Sequence, residues 1–236
     1  MNTLGTSGLK DKIALVTGAD GGLGRHVTHA LLGAGARVVG ASRRIGQSDF
    51  ESAAFTAVTA ELSSDAGAKG LVDAVVSQFG RVDIVAHTVG GFAGGSSVAE
   101  TDDAIFQRMM DVNFNNTLHL LRAVLPAMRQ SGGRIVAIGS RAALEPGVGV
   151  GAYSASKAAM VSLMRTAALE NRDFAITVNV ILPGTMDTST NREAMPNADF
   201  SKWVQPTTVA SLIVWLAGDA GRDVNGAVIP VYGSDV

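Results

Sequence analysis

The chain contains no cysteine, which excludes a disulfide framework, a thiol nucleophile and a cysteine-bound zinc site. That absence fits a reducing compartment, and a cytoplasmic location is expected. Surplus charge is also scarce: the formal net charge is -2 at pH 7. Polyphosphate surfaces need an excess of Lys and Arg, so nucleic acid and acidic membranes are not expected partners. No stretch reaches the roughly 20 apolar residues of a membrane span. The opening "MNTLGTSGLKDK" has no long apolar run after a basic flank, so no signal peptide is expected. The four histidines show no ligand spacing. His26 and His29 fall on the expected first helix, where packing or surface roles are favoured over a metal. No linker, low-complexity segment or sequence repeat interrupts the chain.

What is present suits one folded domain spanning residues 1–236. At 47% hydrophobic and 17% charged residues, the chain can bury a sizeable core. After a tail expected to be flexible to about residue 10, "KIALVTG" reads as a strand over about 12–17 that ends in glycine. A helix is expected from Leu23 to about Leu32, then a second strand through Val38 and Val39. "FTAVTAEL", "VDIVAHTVG", "GRIVAIGS", "ITVNVILPG" and "GAVIPVYG" read as further strands. Between them lie a helix from about Asp65, one or two long helices with Thr101 as N-cap, the helix "GAYSASKAAMVSLMRTAALE", and "TVASLIVWLAG". Nearly all-apolar strands alternating with amphipathic helices predict a doubly wound parallel sheet of about seven strands, with helices on both faces. Ligands then bind at the carboxyl ends of the strands.

Directly after the first strand comes "TGADGGLG", which places Gly18, Gly22 and Gly24 between strand and helix. Glycines there let backbone approach a pyrophosphate, and the helix offers free N–H groups. Thr17, Asp20 and Leu23 of the same turn join them as expected cofactor contacts. An acid usually reads the adenosine ribose 2′-OH at the end of the second strand. Here Ser42, Arg43 and Arg44 stand in its place. Arginine can pair bidentately with a 2′-phosphate, so NADP(H) is favoured over NAD(H); solvated loop charges are the alternative. "GAYSASKAAM" puts Tyr153 and Lys157 about one turn apart on one helix face. That pair could tune a proton donor, or be an ordinary amphipathic face.

Taken together, these motifs in this order resemble the short-chain dehydrogenase/reductase family from about Lys12 to Gly233. "TGADGGLG" resembles its cofactor turn, "YSASK" its Tyr-x-x-x-Lys, "IGS" its serine at the end of strand five, "DVNF" its asparagine-bearing helix, and "LPGTMDT" the segment flanking the nicotinamide. The resemblance implies a Rossmann-like fold. It makes Tyr153 the acid/base, Lys157 its activator and a ribose ligand, Ser140 the hydroxyl that holds the substrate carbonyl, and Asn113 the support of a proton-relay water. Positive charge from Lys157 is expected to draw the Tyr153 phenol down toward neutral pH. Glu61 and Leu62 are implied near the adenine, and Gly90, Pro183, Gly184, Thr185 and Thr188 along the rest of the cofactor. A carbonyl or secondary-alcohol substrate is implied, met by Phe92, Met186, Met195 and Trp203, with residues 185–206 as a lid that orders over ligand. A homotetramer or dimer, built partly on helices at 104–130 and 151–170, is implied too.

The chain departs from the family where "HTVG" at His87 to Gly90 replaces Asn-Asn-Ala-Gly; no catalytic role is expected of His87. Glu61 replaces a shorter acid, and "VYGSDV" an acidic residue followed by paired glycines. "GGFAGG" at 90–95 and the segment at 187–203 are similar to dihydropteridine reductases, which makes pterin reduction an alternative; Ser140 and the two arginines speak against it. A 3-oxoacyl thioester reductase is a further subtype. In another class stands a cofactor-binding regulator without turnover, against which the full Asn113, Ser140, Tyr153 and Lys157 set weighs.

Overall fold

The computed structural model describes residues 8–234. The tail expected over residues 1–10 lies outside them as far as residue 7. Leu9 is fully buried and its carbonyl accepts from the N–H of Lys12, so the folded body already includes residues expected to be flexible.

Seven strands form one parallel sheet: β1 (Ile13–Thr17), β2 (Arg37–Ser42), β3 (Phe55–Thr59), β4 (Ile84–His87), β5 (Gly133–Ile138), β6 (Ile176–Pro183) and β7 (Val228–Val231). Their spatial order is β3-β2-β1-β4-β5-β6-β7. The chain winds outward in one direction from β1 and then returns to wind in the other from β4. β1 and β4, paired in register from Ala14 with Ile84 to Thr17 with His87, flank the point where the order reverses. Clefts in such sheets open there, beyond the carboxyl ends of the strands.

The strands are apolar throughout because both faces are covered. In β1, Ile13 and Leu15 join one core cluster while Ala14 and Val16 join the other, the period-two alternation of a strand. Helices α2 (Asp65–Phe79), α4 (Asn116–Met128) and α5 (Gly151–Glu170) pack on the first face; α1 (Gly24–Gly33) and α7 (Pro206–Ala217) pack on the second. α3 (Asp103–Met110) is capped by Asp102, whose carboxylate accepts from the N–H of Ala104. Thr101, the expected cap, instead spends its hydroxyl on the carbonyl of Ser97. α3 runs into α4 through a π turn over Asp111–Asn115. α6 (Ser189–Ala194) is a short helix within the segment that joins β6 to α7. No described helix is long and apolar enough to cross a membrane.

Candidate functional site

The glycine turn after β1 is built by contacts that leave no room for side chains. The N–H of Gly18 donates to the carbonyl of Ala41 at 2.7 Å, and that of Gly21 to the carbonyl of Gly18 at 3.0 Å. A Cβ on Gly24 would stand 2.0 Å from the Gly18 carbonyl oxygen, and one on Gly22 would stand 3.1 Å from the Thr188 methyl. Glycine is therefore required at the first helical position, and the backbone of the turn lies bare. Among the described residues the N–H groups of Gly22 and Leu23 have no protein acceptor, so these orphan donors of the helix start are free to meet an anion. This bare cradle fits a dinucleotide pyrophosphate. Leu23 contributes backbone only, since its side chain is buried in the core. The Asp20 carbonyl accepts from Arg25.

At the end of β2, Ser42 is half-buried and its hydroxyl accepts from the N–H of Arg44. Arg43 and Arg44 are both exposed, and neither has an ion-pair partner among the described residues. Beyond β3, Glu61 is exposed. Leu62 does not offer a side chain to a ligand: it is buried in the core, and its carbonyl accepts from His119.

Across the cleft, Ser140 leaves the end of β5 in extended backbone and Tyr153 and Lys157 stand on α5. Burial pushes the Tyr153 phenol above its ordinary value, while hydrogen bonding with Ser140 pulls it back. Lys157, 4% exposed, donates to the carbonyl of Ile138 at 2.9 Å, and burial pushes its ammonium down to about 8. In the protein without a bound nicotinamide the phenol is therefore raised rather than lowered, because loss of water outweighs the Ser140 hydrogen bond.

Asn113 sits in the π turn and is fully buried. The extra residue of such a turn displaces the helix register locally. Its side chain accepts from the N–H of Gly91 and donates to the carbonyl of Gly91 and the hydroxyl of Ser156, each at 3.0 Å. Both amide protons are spent, so the Asn113 side chain acts as a clasp between Gly91 and Ser156. Ser156 in turn donates to the carbonyl of Tyr153 at 2.7 Å. Gly90 closes over this group: a Cβ there would lie 3.0 Å from the Lys157 ammonium and 3.1 Å from the Asn113 oxygen. Sequence reasoning missed Ser156, although a small hydroxyl between Tyr153 and Lys157 on a helix face was its signal.

The rim comes from three loops. Phe92, 65% exposed, sets its ring edge-on to Tyr153 with centroids 5.0 Å apart. After β6, Gly184 lies so close to the Tyr232 carbonyl that a Cβ would stand 2.6 Å from it; Pro183 is buried at the strand end. Thr185 and Met186 begin a segment tied at its base by the N–H of Val204 to the Thr185 carbonyl and by a bridge between Met186 and Val204. Thr188 caps α6 with its hydroxyl and lays its methyl on Gly22, so the segment reaches the glycine turn. Met195 is 41% exposed, but Trp203 is buried and packs on Phe200, offering a ligand little of the surface expected of it. Among the described residues there is no acidic, histidine or cysteine group suited to a metal ion.

Known proteins share this arrangement along nearly the whole chain. The model of the short chain dehydrogenase family matches residues 12–199. The short chain dehydrogenase/reductase astE of Aspergillus oryzae is 31% identical, over 94% of this chain and 94% of its own. The rhamnolipids biosynthesis 3-oxoacyl-[acyl-carrier-protein] reductase of Pseudomonas aeruginosa is 32% identical, over 95% and 96%. Among solved structures, the Pseudomonas aeruginosa RhlG/NADP active-site complex superposes with a TM-score of 0.87 at 31% identity, covering 97% of each chain. With the bare glycine cradle at the switch point of the sheet and Tyr153 and Lys157 across the cleft from it, a match of this extent makes the chain a member of the short-chain dehydrogenase family.

Proposed function

We propose that the chain is an NADPH-dependent oxidoreductase that interconverts a ketone and a secondary alcohol, with a 3-oxoacyl thioester among the candidate substrates. The observation that carries this is the convergence of Ser140, Tyr153 and Lys157 beside Gly90, across the sheet's switch point from the bare glycine turn. The nicotinamide, when bound, supplies the hydride.

The glycine turn and the start of α1 would hold the pyrophosphate, with Thr188 beside it. Arg43 and Arg44 would meet a 2′-phosphate as charge-assisted donors. Lys157 has three donor protons and gives one to Ile138; the others are available to ribose hydroxyls. Gly184, Thr185 and Met186 would border the nicotinamide end. Tyr153, a phenol neutral at pH 7 by its ordinary value and pushed further up by burial, gives its proton to the substrate oxygen while Ser140 hydrogen-bonds the same atom. A phenol held in its neutral form suits the reducing direction, because a carbonyl needs a proton donor. Asn113 and Ser156 hold the α5 backbone and Gly91 in place around that hydroxyl. Phe92 walls the substrate side of Tyr153, with Met186 and Met195 on the opposite loop.

A homo-oligomer, dimer or tetramer, belongs to the same proposal. Leu144 and Leu169 expose apolar surface on the outer side of α5 and its preceding turn, as a subunit face would. Light scattering coupled to size-exclusion chromatography tests it.

The deciding experiment follows oxidation of NADPH and of NADH by absorbance against small ketones, a 3-oxoacyl thioester and quinonoid dihydropterin, with Tyr153→Phe as control. NADPH-dependent turnover of a ketone or thioester, lost in the variant, is expected. Turnover unaffected by the substitution, or confined to NADH and the pterin, would overturn the assignment.

A further inference from the structure

One buried polar group takes no part in the chemistry above. His87, at the end of β4, is 1% exposed. Its Nδ1 lies 2.7 Å from the Thr17 hydroxyl, and its Nε2 lies 3.0 Å from the Thr117 hydroxyl. The Thr117 hydroxyl also lies 2.8 Å from the carbonyl oxygen of Asn113. A carbonyl has no proton to give, so Thr117 donates there. Its single proton is then spent, and it can only accept from His87, which places a proton on Nε2.

Burial and the positive charge of Lys157, the one ionised group among the described residues that acts on the ring, keep a second proton off and hold the ring's pKa down at about 3. Nδ1 is therefore an acceptor, and Thr17 donates to it. The result is one directed series: Thr17 hydroxyl to Nδ1, Nε2 to the Thr117 hydroxyl, and Thr117 to the Asn113 carbonyl. Its first member ends the strand that feeds the glycine turn. Its last member is the residue whose side chain clasps Gly91 and Ser156.

We propose that His87 is a positioning residue: with its proton on Nε2, its ring ties the mouth of the glycine turn to the π turn and so sets the cofactor cradle against α5. An asparagine at this place would have a shorter reach, whereas an imidazole spans both hydroxyls with one rigid plane. The tautomer stands on the hydrogen bonds and the burial of the ring; its effect on turnover rests on the function proposed above.

Nitrogen-15 NMR of the histidine-labelled full chain reads the tautomer without any cofactor. A bare Nδ1 and a protonated Nε2, unchanged from pH 8 to pH 5, are expected. Thr117→Val should lower kcat and NADPH affinity by about tenfold, the scale of one buried hydrogen bond, with the substrate KM nearly unchanged. Thr117→Ser, which keeps the hydroxyl, should restore both to within about twofold. A proton on Nδ1, an imidazolium at pH 6, or a Thr117→Val chain that melts earlier but keeps its kcat and NADPH affinity would each overturn the proposal. If no substrate is turned over, NADPH titration by fluorescence and the NMR tautomer still decide it.

Discussion

Lys157 reaches from α5 to the end of β5 and donates to the backbone carbonyl of Ile138 at 2.9 Å. The contact pins a buried cation at the strand end that leads to Ser140. Lys157→Met should leave that carbonyl unpaired and, on the proposed function, remove a donor to the ribose. A fall of roughly a hundredfold in kcat/KM is expected, the usual cost of losing one preorganised donor. The measurement is steady-state NADPH oxidation, with circular dichroism to confirm the fold.

Gly24→Ala would thrust a methyl group to 2.0 Å from the Gly18 carbonyl oxygen, backbone against backbone. Neither partner is a flexible side-chain end that can swing away. Overpacking of this kind costs about 1–3 kcal/mol, and the cradle must distort to relieve it. Urea denaturation should show the loss of stability, and fluorescence titration a larger loss of NADPH affinity.

Arg43→Ala and Arg44→Ala remove exposed charges that no acidic side chain holds among the described residues. Each charge-assisted bond to a 2′-phosphate contributes about 1.5–3 kcal/mol. The ratio of kcat/KM for NADPH over NADH should therefore fall about tenfold or more per substitution. NADH kinetics alone should hardly change. Equal losses with both cofactors would point to a fault in folding rather than in recognition.

His87 makes stability fall on the acid side. Its pKa is about 3 in the fold against about 6.5 when unfolded. Between those values the unfolded chain binds the extra proton, so stability decreases as pH falls from 6.5. The slope from this residue approaches about 1.4 kcal/mol per pH unit. Asp187, held down to about 2 chiefly by Arg192, adds to the loss only below about pH 4. Urea midpoints at pH 7 and pH 4.5 therefore isolate His87, and His87→Asn should flatten the difference.

Asp187 braces the segment after β6. Its carboxylate accepts from Arg192 at 2.8 Å and from Gln205 at 3.1 Å. Asp187→Asn weakens both links, and hydrogen exchange over residues 185–206 should quicken while the sheet keeps its protection. Added NADPH should slow exchange in the same segment of the unaltered chain; no response would show that the segment is not a lid.

The sheet was legible because burial on both faces writes itself as unbroken apolar runs, as in Ile13 to Thr17. The glycine turn and the Tyr153–Lys157 pair were legible because a close backbone approach and a one-turn spacing each constrain residue type at fixed positions. The clasp of Asn113 was not, since the π turn that carries it has no signature in a helical pattern. The upward push on the Tyr153 phenol is illegible for a related reason: a sequence shows the charged neighbour but not the lost water. The side chains of Leu23, Leu62 and Trp203 fill protein interior, which the sequence does not show. A leucine beside a cofactor motif looks the same whether its backbone or its side chain faces the cleft.

The pairing of Met186 with Val204 closes the segment between them into a unit hung from a single hinge line. Its helix, aromatic pair and ion pair are contained between two fixed points, while β6 and α7 outside those points belong to the sheet's core. Such a unit can be exchanged whole, lengthened or recomposed, without moving a strand. If the segment borders the substrate as proposed, substrate range can drift by replacement of this one cassette, and a chimera carrying a relative's version should inherit the relative's preference on an unaltered frame.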